Sequence, residues 1–587
     1  MSNLETLDNL FKPALPSNKR KIEISRHPND VHKSVKISSR NTTKIIARTP
    51  SELTENDIES GPTVPIDEED YGPDLPDDEE GRFFGGGVTQ KENEILDYVD
   101  EKTVNDQQTE IFDSAWLRRL ALKFERKIST NAELRIKYEN DPQKFMTSEE
   151  ELDVEIKAIG ILSQHPTLYA EFVKLGCVSS LVSLLAHENT DIAIGAIQII
   201  SELIDEDAEA VQGDWNEIVD AMLKADLLEL LVSNLMRFDE ENESDKHGVY
   251  YSLSVLESMA SQATLAEKIG RETAVFEWVL ERIKKPEKTV SQNKQYAAEV
   301  LVILLQTSSL NRKKICEIDG VNLLLELLAT YRKRDPAKGT EEEEFMENLF
   351  DALVCVVDEV DGKSHFVKAE GVELCLIMIT EGKMSKTRAI RLLDHALGGT
   401  NEVEVSERLV EAAGLKVIFG KFMKKHDSAV TEHFLGIFSS LLRNLPADSS
   451  SRIRTLAKFV EKDYEKIIKL IDLRKTYTQC LARVNESIRK EHFNLSAEMR
   501  EAMANIWLSR KLDAGLYCLQ IIDVILAWLV AEDDGANQKI RLLLADQTDT
   551  IESVAQTIKE QIDAILEETE DEIVMKDMLT TLLKFLT

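Results

Sequence analysis

The chain has 587 residues, 43% of them hydrophobic and 30% charged, with only 24 Gly and 13 Pro. That length exceeds what one hydrophobic core needs, and so few turn-formers exclude a turn-rich all-β protein. The 107 Asp and Glu against 71 Lys and Arg leave a formal charge of −36, which disfavours a general phosphate-backbone binder and favours basic partners.

Residues 1–104 read as disordered, because eight of the 13 prolines precede position 77 and no apolar periodicity supports a packed core. Residues 1–50 form a basic arm with ten Lys/Arg against four Asp/Glu, and residues 51–110 form an acidic linker with 20 Asp/Glu against three Lys/Arg. In the arm, Lys19, Arg20 and Lys21 are three adjacent cations of the kind an import receptor reads. In the linker, Arg82, Phe83 and Phe84 put two aromatics in a Gly-rich stretch. They are a candidate docking motif, and packing on the chain's own folded body stays an open alternative. The N-terminus has no apolar stretch after positive charge, so no signal peptide is expected. The six cysteines are dispersed without metal or redox spacing, which predicts a reduced, intracellular chain with no metal and no cofactor.

From Asn105 onward only five prolines occur, and apolar residues recur at three- and four-residue spacing, as in amphipathic helices. Residues 105–175 predict capping helices. Gly176 to Leu185 then reads as a helix, His187 to Asp191 as a polar turn, and Ile192 to Ile204 as a second helix. Gly195 and Ala196 supply small residues at its crossing point. Related segments start near Ala225, Gly320, Gly371 and Gly414, with a weaker one near Thr273, at spacings of about 43 to 51 residues. The helices expected to follow are 248–261, 291–306, 345–360, 385–397 and 428–444. That period predicts an all-α, armadillo/HEAT-type right-handed solenoid of about six units over residues 176–447. Residues 448–587 predict a C-terminal helical domain. Its longest apolar run, Leu516 to Val530, contains Asp523 and is shorter than the roughly 20 residues a membrane span needs, so no membrane partner is expected.

Several strings resemble the beta-catenin-like protein 1 family. They are Glu133 to Tyr138 (ELRIKY), Asp141 to Phe145 (DPQKF) and His187 to Ile192 (HENTDI), then Glu299 to Gln306 and Met346 to Leu353. Leu393 to Ala396 (LDHA), Ser440 to Leu445 and Arg510 to Leu516 (RKLDAGL) continue the resemblance, which covers about residues 80–530 in order. It implies a nuclear armadillo protein of the Prp19/Cdc5-type spliceosomal complex. The implied partners are Cdc5-like and Prp19-complex splicing proteins and a Prp31-like factor, with an import receptor engaged through the N-terminal arm.

The last helices of armadillo units line a concave face suited to an extended peptide. The acidic or amide residues at the comparable places are Gln198, Glu202, Glu299, Asp351, Asp358 and Asp394, the candidate groove residues for basic peptides. The Trp-Asn ladder of import receptors is absent. Arg443, Asn444 and the Asp394-His395 pair read as structural polar groups, and Lys511 with Asp513 as a helix-docking ion pair. No phosphate loop, dinucleotide fingerprint, nucleophile elbow or zincin helix occurs, so no enzyme is expected. Residues 111–587 carry 58 basic and 83 acidic residues, a net −25, so no direct nucleic-acid contact is expected from the body. The expected function is a non-enzymatic nuclear scaffold whose groove binds basic segments of splicing factors. A nuclear import adaptor or chaperone is the alternative, and homo-oligomerisation is left open.

Overall fold

The computed structural model describes residues 112–586, apart from 209, 400–402, 494–495 and 567–568. Among the described residues every regular element is helical. Two long helices open the body, α1 (Ser114–Lys137) and α2 (Met146–Ile159). Asp113 caps α1 by accepting from the Trp116 amide at 2.8 Å, satisfying one of the orphan donors of a helix start.

Six helix triplets follow. The first is α3 (Tyr169–Lys174), α4 (Cys177–Ser183) and α5 (Thr190–Ile204). The second is α6 (Gln212–Lys224), α7 (Leu227–Arg237) and α8 (Glu243–Ala260). The third is α9 (Ala263–Arg271), α10 (Thr273–Lys284) and α11 (Gln292–Thr307). The fourth is α12 (Ser309–Glu317), α13 (Gly320–Ala329) and α14 (Glu341–Val356). The fifth is α15 (Val360–Lys368), α16 (Gly371–Glu381) and α17 (Met384–Leu397). The sixth is α18 (Val403–Glu411), α19 (Gly414–Phe422) and α20 (Ser428–Asn444). The segment around Tyr169, expected as part of the cap, packs against α4 and α6 as the first helix of the first triplet.

The turn between the first and second helices explains the recurring glycine. The residue just before the second helix is left-handed, with φ of 58° at Asp319, Glu370 and Ala413. Such a backbone costs a side-chain-bearing residue on the order of 1 kcal/mol. The glycine comes one position later, where its own φ is ordinary. A Cβ on Gly371 would sit 2.3 Å from the Phe366 ring. At Gly320, Gly371 and Gly414 the glycine is there because two helices approach closely and the strain is borne by its neighbour, whereas Gly176 of the first unit is itself left-handed at φ 78° with open space around it.

The third helices stack in order, α2 on α5, then α8, α11, α14, α17 and α20. Ala196, Ala297 and Ala298 are buried within this stack, so small side chains let the helices approach, as their sequence positions suggested.

The C-terminal region closes the stack. α21 (Ser450–Phe493) leaves helical geometry at Glu461 to Tyr464 and resumes. It is followed by α22 (Ala497–Asp513), α23 (Leu516–Glu532), α24 (Asp534–Asp546), α25 (Ile551–Ala564) and α26 (Glu570–Leu586). The apolar α23 packs on α20 and so takes the place of a seventh third helix. Its one interior carboxylate, Asp523, is wholly buried and meets the equally buried Arg474 in a two-point ion pair, with Nε at 2.6 Å and Nη2 at 3.3 Å. Arg474 also reaches Asp549, and donates to the Ser553 hydroxyl at 2.9 Å. Burial pushes the Asp523 carboxyl up to about 6, against the pull of the Arg474 guanidinium. The ion pair expected between Lys511 and Asp513 does not form, because residues two apart lie on different sides of a helix. Arg510 pairs with Glu491 at 2.8 Å.

Candidate functional site

The partly exposed side chains of the stacked third helices touch from one helix to the next and so define one continuous surface. On α5, Gln198 donates to Glu202 at 2.9 Å. On α8, Tyr250 packs against Tyr296 of α11 with ring centroids 5.2 Å apart, and the Tyr296 hydroxyl donates to Glu257. Burial, followed by the nearby charges of Glu202 and Tyr250, pushes the Tyr251 hydroxyl up. Glu299 on α11 accepts from Gln295 of its own helix at 3.1 Å.

Across the α11–α14 step the carboxylates repel one another. Burial, then Glu299, raises the pKa of Glu341. Burial, then Glu341, Glu299 and Glu343, raises that of Glu344. One Glu341 oxygen is buried with no hydrogen-bond partner. Four glutamates, Glu341 to Glu344, occupy the first turn of α14. The helix N-terminus offsets part of their charge, but among the described residues no arginine or lysine pairs with Glu299, Glu341 or Glu344.

Beyond α14 the carboxylates meet arginine and histidine side chains of the next unit. Arg388 of α17 pairs with Glu347, and Arg391 with Asp351. His395 lies 3.3 Å from Asp358, and His433 of α20 lies 2.9 Å from Asp394. Of the six expected groove residues, Gln198, Glu202 and Glu299 lie on the section holding the tyrosines and the repelling glutamates. Asp351, Asp358 and Asp394 lie on the section where an arginine or a histidine of the next unit meets each of them. Asp358 stands in the turn after α14 rather than on a helix. Composition analysis missed Glu257, Glu341, Glu344, Tyr250, Tyr251 and Tyr296. The run of four glutamates was the visible signal for two of them. Among the described residues no group of His, Cys, Asp or Glu is arranged to hold a metal ion. Lys19, Arg20, Lys21, Arg82, Phe83 and Phe84 lie outside the described residues.

Residues 93–559 match the model of a family described as catenin-beta-like, Arm-motif containing, nuclear. The chain belongs to the catenin-beta-like family. The beta-catenin-like protein 1 homolog of Schizosaccharomyces pombe is 38% identical over 484 residues, 82% of this chain and 84% of the relative. Beta-catenin-like protein 1 of Homo sapiens is 33% identical over 468 residues, 77% of this chain and 82% of the relative. A designed armadillo repeat protein aligns with a TM-score of 0.35 and 14% identity, over 45% of this chain and 99% of that one.

In this catenin-beta-like chain the strings that carry the resemblance build the solenoid. The His187 ring donates from Nε2 to Asn131 of α1 at 3.1 Å and accepts from the Asn189 amide at 3.1 Å. Its carbonyl accepts from Arg237 of α7 at 2.9 Å. Asn189 caps α5 and donates to Glu149 of α2 at 2.9 Å. Arg135 pairs with Glu149 and Glu188 and lies 4.8 Å from the Phe145 ring centre. One turn thus ties the cap to the first two triplets. Asn444 donates to the Leu397 carbonyl at 2.9 Å and Arg443 to the Gly399 carbonyl at 2.7 Å, so both are structural polar groups, as expected.

Proposed function

We propose that the chain is a non-enzymatic nuclear scaffold whose third-helix surface binds basic, nuclear-localisation-like segments of splicing factors. The observation that supports it is the section from α5 to α14. It offers Glu202, Glu257, Glu299, Glu341 and Glu344 beside Tyr250 and Tyr251, with mutual repulsion among Glu299, Glu341 and Glu344. A Lys/Arg-rich peptide relieves that repulsion and makes charge-assisted hydrogen bonds, while its aliphatic stems and guanidinium planes pack on the tyrosines. The family's nuclear description and the repeat architecture support the same reading. In this reading Lys19, Arg20 and Lys21 serve the chain's own import, and the partners are Cdc5-like, Prp19-complex and Prp31-like splicing proteins.

The test compares wild type with Glu299→Lys/Glu344→Lys in two assays: calorimetric titration with a Lys/Arg-rich peptide, and affinity purification from nuclease-treated nuclear extract. The reading expects splicing proteins and peptide to be retained by wild type and lost from the folded variant. Equal retention by both overturns the groove assignment. Recovery of import receptors as the main partners selects the adaptor function instead.

A further inference from the structure

The loops joining second to third helices lie along one edge of the solenoid and contact each other in sequence. Arg237 at the end of α7 reaches the His187 carbonyl in the first loop. Asn293 at the start of α11 donates to Glu240 in the second loop at 2.9 Å. The Met384 amide donates to Asp335 in the fourth loop at 3.1 Å. Lys421 of α19 donates to the Thr380 carbonyl of α16 at 3.2 Å, and Lys469 of α21 donates to the Lys424 carbonyl at 2.7 Å.

The charge of this edge changes sign along its length. The second loop is acidic, with Asp239, Glu240, Glu241 and Glu243. At the fifth and sixth units the same edge is basic, with Lys383, Lys386, Lys421, Lys424 and Lys425. None of these five lysines pairs with a carboxylate among the described residues. Lys421 lies close enough to Lys386 of the fifth unit and Lys424 of its own unit to feel their charge. Burial, then Lys386 and Lys424, holds the Lys421 amine below its usual value. In a chain of net charge −36, five lysines from two adjoining units that make no ion pair among the described residues form a local basic site that the global balance conceals, with Asp335 at its border on the Met384 amide.

We propose that this basic edge, formed by Lys383, Lys386, Lys421, Lys424 and Lys425, binds the phosphate backbone of a nucleic-acid duplex. Cations on two adjoining units match a linear polyanion. Third-helix spacing is on the order of 10 Å, so lysines of the two units reach different phosphates of one strand. Phe422 is buried beneath Lys469, whose amine lies 4.5 Å from its ring centre, and the neighbouring His426 ring meets the Lys421 carbonyl at 2.8 Å and packs 5.1 Å from the Phe434 ring. Both rings are held within the fold rather than offered to a base, which argues against single strands and against base readout. The contact is to phosphates and is sequence-independent, steeply salt-dependent and separate from the acidic third-helix surface.

The test titrates the full-length protein into a fluorescent RNA duplex of mixed sequence, about 20 base pairs long, from roughly 50 to 200 mM salt. Polyglutamate serves as an acidic-peptide probe. Binding is compared with Lys383→Glu/Lys424→Glu/Lys425→Glu and with the milder triple Gln variant, both checked for an unchanged melting temperature. Expected is duplex binding by wild type, weakened about tenfold or more by the Glu variant, with the log–log salt slope reduced by about one per contacting lysine. The Gln variant should fall between them. The proposal is overturned by absence of duplex binding at the lowest salt, or by equal binding to the Glu variant. Tighter binding of polyglutamate than of duplex assigns the edge to an acidic peptide and also overturns it.

Discussion

The two halves of the third-helix surface share one architecture and one acidic composition, yet they treat their carboxylates differently. From α5 to α14, Glu299, Glu341 and Glu344 form no ion pair among the described residues and repel each other. From α14 to α20, Arg388, Arg391, His395 and His433 answer Glu347, Asp351, Asp358 and Asp394. At the far end, Arg474 and Asp523 are sealed from water altogether. Compensation deepens along the chain. The difference teaches that an acidic residue on a repeat face is left available to a ligand only where the next repeat supplies no partner for it. Where the next repeat supplies an arginine, the same carboxylate holds two units together.

The largest effect should come at the sealed end. Arg474→Met leaves Asp523 buried without its cation and should cost about 3–5 kcal/mol of unfolding free energy. The double variant Arg474→Met/Asp523→Leu should recover most of that loss in urea denaturation. A near-neutral single variant would remove the far end of the comparison. Next, Asp351→Asn strands Arg391 and should cost about 1–3 kcal/mol, readable as a lower denaturation midpoint. Peptide affinity should show the reverse preference. Glu299→Lys/Glu344→Lys should weaken a Lys/Arg-rich peptide at least about tenfold, roughly 1.4 kcal/mol, whereas Asp394→Asn should leave calorimetric affinity nearly unchanged. Smaller still, Glu341→Gln removes like-charge repulsion and should stabilise the free protein by a few tenths of a kcal/mol. A clear loss of stability there would show that the repulsion is already offset.

The smallest effect concerns the turn that ties the cap to the repeats. Burial, then Arg135, holds His187 below its ordinary value of 6.5, against the opposing pull of Glu149 and Glu188. A folded-state pKa below the unfolded one means that this contribution is full above pH 6.5 and is lost as pH falls through the folded value. Wild type should therefore lose melting temperature on acidification more steeply than His187→Gln. Parallel pH profiles would assign the turn's stability to Asn189 and Arg237 alone.

Much of this organisation was legible in the chain itself. The helical period exposed the units because each first and second helix must bury one face, and in the fourth, fifth and sixth units a glycine follows the left-handed residue where those two helices nearly touch. Gly371 against Phe366 is the clearest instance. The weaker segment near Thr273 lacks that glycine. There the third unit is tied by Arg282, which reaches Glu240 and donates to the Ser291 hydroxyl at 2.9 Å, contacts about 40 and ten positions apart that no local pattern reports. The third-helix candidates were found by type but not by role. Their positions on amphipathic helices were visible, and whether Asp351 meets a cation depended on Arg391, forty residues later.

Sequence by itself determined the all-α repeat, its phase and its acidic character, because apolar periodicity and composition act over neighbouring residues. Tertiary structure alone decided which carboxylates are neutralised, that α23 serves as a further third helix, and that lysines from separate units converge on one edge of an acidic chain. The physical reason is that Coulomb interactions and burial depend on distance through space. Stacking six units brings together charges that the chain keeps roughly 40 residues apart.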